Sequence, residues 1–419
     1  MSKLAILIIL VVISVGATSA GAAGRFLAAD FAADNSGRSD ATMAIQTALD
    51  ACAEAGGGVV LLENGHYRCD GNLTLPTGVA LEGVWEMPHH GALPKGTVLM
   101  AYGGRGDETA TPFINLSESS AVRGLTFWYP EQKVDAIVPY PWTVQGRAMH
   151  GTVENCTLVN SYRGIDFGTH HGELHVINHV YGCILRMGIM VDQCTDIGRI
   201  SNVHFNPHYW ARAGDPVFNA TANNWGLLVD YVGQNSEGFV FGRTDWEFVT
   251  NCFTIFNKYC FRFADLGNGG GNVVVTQSGG DISPCAFRIE ASQPHSGHQF
   301  VNCQVMGLVE VTETNTGPVK FTNCGFWPVA ATGSQVTAAG PSAVILNGCH
   351  FAAWGDAPCV DASNARLTVT GCYFAQNKPQ IRLGEGMQAA IIGMNQCTGG
   401  LQLENLSTAD VQVGLNSAQ

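Results

Sequence analysis

Short runs of alternating apolar and polar residues recur along the chain, and a small motif punctuates them. Val301-Asn302-Cys303-Gln304-Val305 returns as Thr322-Asn323-Cys324-Gly325-Phe326. Looser copies follow at Asn347-Gly348-Cys349, Thr370-Gly371-Cys372 and Asn395-Gln396-Cys397. Upstream copies are Glu154-Asn155-Cys156 and Thr250-Asn251-Cys252, and Ser201-Asn202-Val203 carries Val in place of Cys. From Cys303 the cysteines step by 21, 25, 23 and 25 residues, and Cys252 lies 51 residues before Cys303. A fixed period in the twenties marks stacked supersecondary units. The leucine-rich pattern that shares this period is absent, and helical repeats need longer periods. The pattern predicts a parallel β-helix, each rung a few short strands stacked about 4.8 Å above the last.

In such a stack equivalent residues fall above one another. A cysteine column fills the bore with small apolar atoms. An asparagine column lets each side-chain amide bond to its neighbours and to the turn backbone. The motif therefore has a structural explanation and needs no catalytic one. Before the repeats, Ser39 or Asp40 is placed to cap a helix with an apolar face of Ala44, Ile45, Ala48, Leu49 and Cys52, ended by Gly56-Gly57-Gly58. That helix is expected to cover the open end of the solenoid. Val59-Val60-Leu61-Leu62 reads as the first strand. The expected division is residues 23–57 for lead-in and cap helix and 58–419 for the solenoid. Loop excursions are expected near 84–112, 128–142 and 206–224, where periodicity fails.

At 419 residues, with 51 Gly and 13% charged residues, the chain is long for one compact core, but a solenoid grows along one axis. Residues 1–22 read as a signal peptide: Lys3, an apolar run from Leu4 to Val15, then small residues ending Ala20-Gly21-Ala22. The expectation is a secreted or periplasmic protein with no membrane span in the mature chain. The formal net charge of −13 speaks against nucleic acid as a partner. Of fourteen cysteines, at least five are expected as free buried thiols, because stacked cysteines on parallel strands point the same way. Cys52 and Cys69 lie outside the column and are candidates for a disulfide. The absence of Cys-x-x-Cys argues against a zinc site.

Ala29-Asp30-Phe31, the run from Ser39 to Asp50, Gly56-Gly57-Gly58-Val59-Val60-Leu61, Gly65-His66-Tyr67-Arg68 and the run from Leu73 to Gly83 resemble the opening of the pectate-lyase superfamily. The likeness is to the branch shared by glycoside-hydrolase-like β-helix proteins and phage tailspikes. It covers roughly residues 28–83. It implies an all-β, right-handed single-stranded parallel β-helix with an N-terminal capping α-helix, and carbohydrate as substrate. It does not transfer a reaction. The Asn-Thr-Asp, Asp-Asp, Gly-His-Gly and Arg-Ile-Lys signatures of the polygalacturonase-like hydrolases are absent.

Candidate chemistry then rests on strand alternation. Strands carrying Asp166, Asp192, Asp230, Arg262 and Arg288 put these side chains on the outer face. Carboxylates on neighbouring rungs would have the spacing that acid/base cleavage of a glycosidic bond requires. The leading expectation is hydrolysis of a polysaccharide by these carboxylates. The alternative is elimination on a uronic acid, with Ca²⁺ held by Asp192 and Asp230 and Arg262 or Arg288 as base. Otherwise no cofactor or metal is expected. A third reading is a non-catalytic glycan-binding or surface protein. Trp128, Trp142, Tyr209, Trp210 and Trp225 are candidates for sugar stacking, and His170 and His171 for substrate contact. Monomer and homotrimer stay open.

Overall fold

In a computed structural model, described over residues 24–88, 91–218, 222–328 and 333–418, the chain is a parallel β-solenoid of about 15 turns. The proposed signal peptide lies outside the described residues. Among the described residues every strand pairing is parallel, and each rung after the first, where helix Thr42–Glu54 takes the place of the third strand, contributes strands to three faces, here sheets I, II and III. One rung runs Phe253–Ile255 on sheet II, Tyr259–Phe263 on sheet III and Val273–Thr276 on sheet I. Two 16-residue strands, Thr152–Phe167 and Val176–Val191, pass through all three faces without a break.

The Asn-Cys motif marks the corner from sheet I to sheet II. Its first residue takes a left-handed backbone: φ is 55° at Asn155, 56° at Asn202, 55° at Asn251, 54° at Asn302 and 53° at Asn323. Gly348 and Gly371 take the same role at 62° and 65°. Asn and Gly recur because they tolerate this conformation best. Part of the amide ladder forms: Asn251 Nδ2 donates to Asn202 Oδ1 at 2.7 Å, and Asn202 Nδ2 to Asn178 Oδ1 at 2.9 Å. The following cysteine points into the bore. All fourteen cysteines are buried and free, so Cys52 and Cys69 do not pair. Burial pushes the Cys156 and Cys252 thiols up to about 12, which keeps them neutral.

Rung spacing matches aromatic stacking distance, and the bore uses it. Phe239, Phe261 and Phe287 stack at 4.6 and 4.9 Å with rings 7° from parallel. Phe326, Phe351 and Phe374 stack at 4.7 and 4.8 Å.

The cap helix forms at Thr42–Glu54 and buries Ile45, Ala48, Leu49 and Cys52 against the first rungs. Asp40 holds its start by accepting from Thr42 N at 3.0 Å. The lead-in also contributes strands. Arg25–Leu27 pairs with Gly58–Leu61, and Ser36–Asp40 with Gly65–Cys69. Stacking therefore begins at Arg25, earlier than residue 58.

The excursions converge on the outer side of sheet II. They form a second apolar cluster that includes Leu93, Trp128, Val159, Trp210, Phe218 and Leu228. Helices His208–Ala211 and Ala222–Asn235 belong to this flank. Replacing Asn302 by Ala should cost about 1 kcal/mol in urea unfolding, because Ala meets the left-handed penalty without the amide. Asn302→Gly should cost less than the Ala variant.

Candidate functional site

The structure disperses the expected acid/base set. Asp166 lies on the outward column of sheet III, as alternation requires, yet it is fully buried. Its Oδ1 accepts from Gly168 N at 2.7 Å and Thr169 N at 2.9 Å, and its Oδ2 from Gln145 Nε2 at 2.6 Å. It anchors the turn that carries half-buried His170 and exposed His171. Asp192 lies on the next rung but two residues further on, since Asp166 sits opposite Met190. It is also buried, and accepts from Arg243 N at 2.6 Å and Asn268 Nδ2 at 2.7 Å.

Asp230 is not on a strand. Gly226 to Asp230 lies within helix Ala222–Asn235 on the sheet II flank, with Asp230 exposed. The run is apolar and follows a glycine, but its neighbours continue a helix-length amphipathic segment, and length decides such cases. Asp192 and Asp230 thus sit on different elements. Neither belongs to the one group of three His, Cys, Asp or Glu side chains, among the described residues, whose donor atoms converge.

The aromatic residues mainly pack the flank. Trp128, Trp142, Tyr209 and Trp210 are 7%, 6%, 7% and 1% exposed, too little to present a ring face to a sugar. Asp215, which sequence reasoning passed over, organises this flank. Its Oδ2 accepts from Trp128 Nε1 at 3.2 Å and Trp210 Nε1 at 2.9 Å, and its Oδ1 from Val217 N at 2.9 Å. Arg163 lies over the Trp142 ring at 5.4 Å. Trp225 is half-buried and stacks on His208 at 4.4 Å.

Arg262 and Arg288 do come together, in register on adjacent strands of sheet III. They belong to a continuous strip. Arg186 meets Glu237 at 3.4 Å, Glu237 meets Arg262 at 3.3 Å, and Arg262 meets Glu290 at 3.0 Å. Glu290 meets Arg288 at 2.6 Å, and Arg288 meets Glu310. Two like charges opposite each other would repel; glutamates placed between them remove the conflict. Burial disfavours the charged guanidinium of Arg262, but Glu290 and Glu237 outweigh it and push its pKa up. The same balance holds at Arg288 with Glu290 and Glu310. Neither arginine is suited to lose its proton and so accept one as a base. Burial works to raise the Glu290 carboxyl, and the hydrogen bonds from Arg262 and Arg288 outweigh it, so Glu290 titrates below its usual range.

The turn leaving the strand of Glu237 carries Trp246, 60% exposed and left-handed at φ 57°. That backbone is unusual for a bulky side chain and carries strain. A separate cavity of about 550 Å³ near Ile282, Leu308 and Thr337 is lined by neutral residues and offers no acid or base.

The converging group is His175, Cys194 and Glu247, all buried, with donor atoms within 4.8 Å of one another. His175 Nε2 pairs with Glu247 Oε1 at 2.9 Å. Burial disfavours the imidazolium, but the Glu247 carboxylate outweighs it and pushes His175 up to about 10.

No family model and no curated protein matches the chain. Among solved structures, the N-terminal fragment of bacteriophage phi29 gene product 12 matches with a TM-score of 0.55 at 11% identity, over 92% of this chain and 72% of that one. The A-module of Azotobacter vinelandii mannuronan C-5 epimerase AlgE4 matches at 0.47 and 16% identity, over 94% and 97%. A Thermotoga maritima exopolygalacturonase matches at 0.41 and 10% identity, over 91% of each. The first is a likeness of fold. No helix among the described residues is long and apolar enough to cross a membrane.

Two outcomes follow from this geometry. Asp215→Ala strands two buried indole N–H groups and should cost about 2–4 kcal/mol in urea unfolding, with limited proteolysis cutting first within residues 206–236. Glu290 has a depressed folded pKa, so its contribution is complete above its unfolded value of about 4.3 and is lost as pH falls through the lower folded value. The melting-temperature gap between wild type and Glu290→Gln should therefore be full at neutral pH and close in acid.

Proposed function

We propose that the chain is a carbohydrate-active β-helix protein that holds a polysaccharide along the outer face of sheet III. The observation that carries this is the half-buried strip from Arg186 to Glu310, which offers hydrogen-bonding groups across several successive rungs. A repeating polar surface on a rigid scaffold suits a repeating, hydroxyl-rich ligand. Trp246, exposed on the turn that follows the strand of Glu237, offers a ring face for a sugar. The resemblance over residues 28–83 supports the same substrate class.

The strip sets three arginines against three glutamates and has no net charge. It favours a neutral or weakly charged glycan over a polyuronate. Among reactions, hydrolysis is favoured over elimination, because the arginines that elimination would use as bases are held charged. In hydrolysis the ionised Glu290 is the group for the base or nucleophile role. Asp166 and Asp192 position turns in this reading. A non-catalytic glycan-binding role uses the same strip without proton transfer. Export from the cell is part of the proposal.

The test is a polysaccharide panel followed by binding, reducing-end release and ultraviolet absorbance, with and without chelator. New reducing ends without absorbance, lost in Glu290→Gln, are expected. Binding without turnover would leave the glycan-binding role. Chelator-sensitive absorbance would overturn the hydrolytic assignment, and absence of binding would overturn the whole reading. Trp246→Gly should lower glycan affinity about tenfold or more while stability stays within about 1 kcal/mol, since glycine relieves the left-handed backbone.

A further inference from the structure

One bore column lies four residues before the left-handed corner residue of each rung. In consecutive rungs it reads Gly151, His175, Gly198, Glu247, Val273 and His298, as the pairing of the following residues shows. Gly198 lies between His175 and Glu247. A Cβ there would stand 2.1 Å from Glu247 Oε2 and 2.3 Å from His175 Cε1. The missing side chain lets residues two rungs apart meet at 2.9 Å. Cys194, on the turn between them, brings its Sγ into the same space.

We infer that His175, Cys194 and Glu247 form a binding site for one divalent transition-metal ion of the zinc class. Three observations support it. Nitrogen, sulfur and carboxylate oxygen converge within 4.8 Å with no exposure to solvent. His175 Nε2 and Glu247 Oε1 already face each other there at 2.9 Å. Thr244 Oγ1 donates to the second oxygen of Glu247 at 3.1 Å, as an outer partner that orients a metal-ligating carboxylate would. Imidazole plus thiolate selects zinc-like ions over Ca²⁺ or Mg²⁺. In a tetrahedral site, ligands about 2.0–2.3 Å from the ion lie roughly 3.3–3.7 Å apart. The 2.9 Å pair need open only a few tenths of an ångström. Binding releases the Cys194 thiol proton and the proton shared by His175 and Glu247. The ion, thiolate and carboxylate then sum to zero charge, which suits an apolar bore. The bound ion would tie three successive rungs together.

The experiment is refolding of the full chain with Co²⁺, then elemental analysis and near-ultraviolet spectroscopy. One cobalt per chain is expected, with a thiolate-to-cobalt absorption. Cys194→Ser keeps the His175–Glu247 pair; it should lose that absorption and bind about 10–100-fold more weakly. Cys303→Ser, in the thiol column, should keep both. Cooperatively folded wild type without stoichiometric metal would overturn the site. So would an absorption that survives Cys194→Ser, which would place the ion on other thiols.

Discussion

Parallel strands stacked in register bring each side chain closest to the residue at the same position one rung away. Packing in this molecule is therefore a matter of columns. A column of Phe becomes a ring stack and a column of Cys a file of thiols. A corner that needs a left-handed residue needs it in rung after rung, so Asn and Gly recur there. The same rule makes charge awkward. An arginine above an arginine is repelled at short range, and Arg262 and Arg288 are compatible only because Glu237, Glu290 and Glu310 interleave with them. The strip on sheet III is first a solution to stacking; its reach across several rungs is what the proposed glycan site rests on.

Interruptions of the columns are as informative as the columns. Gly198 leaves a gap in a file of inward side chains, and a His and a Glu two rungs apart close over it. Trp246 holds a backbone conformation that the corner columns give to Asn or Gly, and it turns a large ring to solvent. On the flank, Asp215 gathers two tryptophans that would otherwise bury unsatisfied N–H groups.

The fold was legible because its signal repeats. Several copies of Asn-Cys at a period in the twenties outweigh any single propensity, and the cap helix carried its own start and stop. The site was less legible because alternation gives direction without saying what lies outside. Asp166 faces outward from the bore and is still buried under its own turn. Asp230 followed a short apolar run that strand and helix share, and only the length of the amphipathic segment around it separates the two. The buried triad did have a signal. Reading four residues back from each corner gives Gly198, Glu247 and His298, and at His179 gives His175; a polar residue in that inward column stands out once the corner is fixed. Asp215 had none, since its partners come from distant loops.

A chain whose fourteen thiols are all sheltered and unpaired reaches its native state without an oxidant, and reductants leave it unchanged. The complementary exposure arises on unfolding. In an oxidising medium an opened chain presents many thiols at once, and mispaired bridges would hold rungs apart. Its lifetime there is governed by how seldom the rungs separate, a rate, more than by the free-energy difference between folded and unfolded chains.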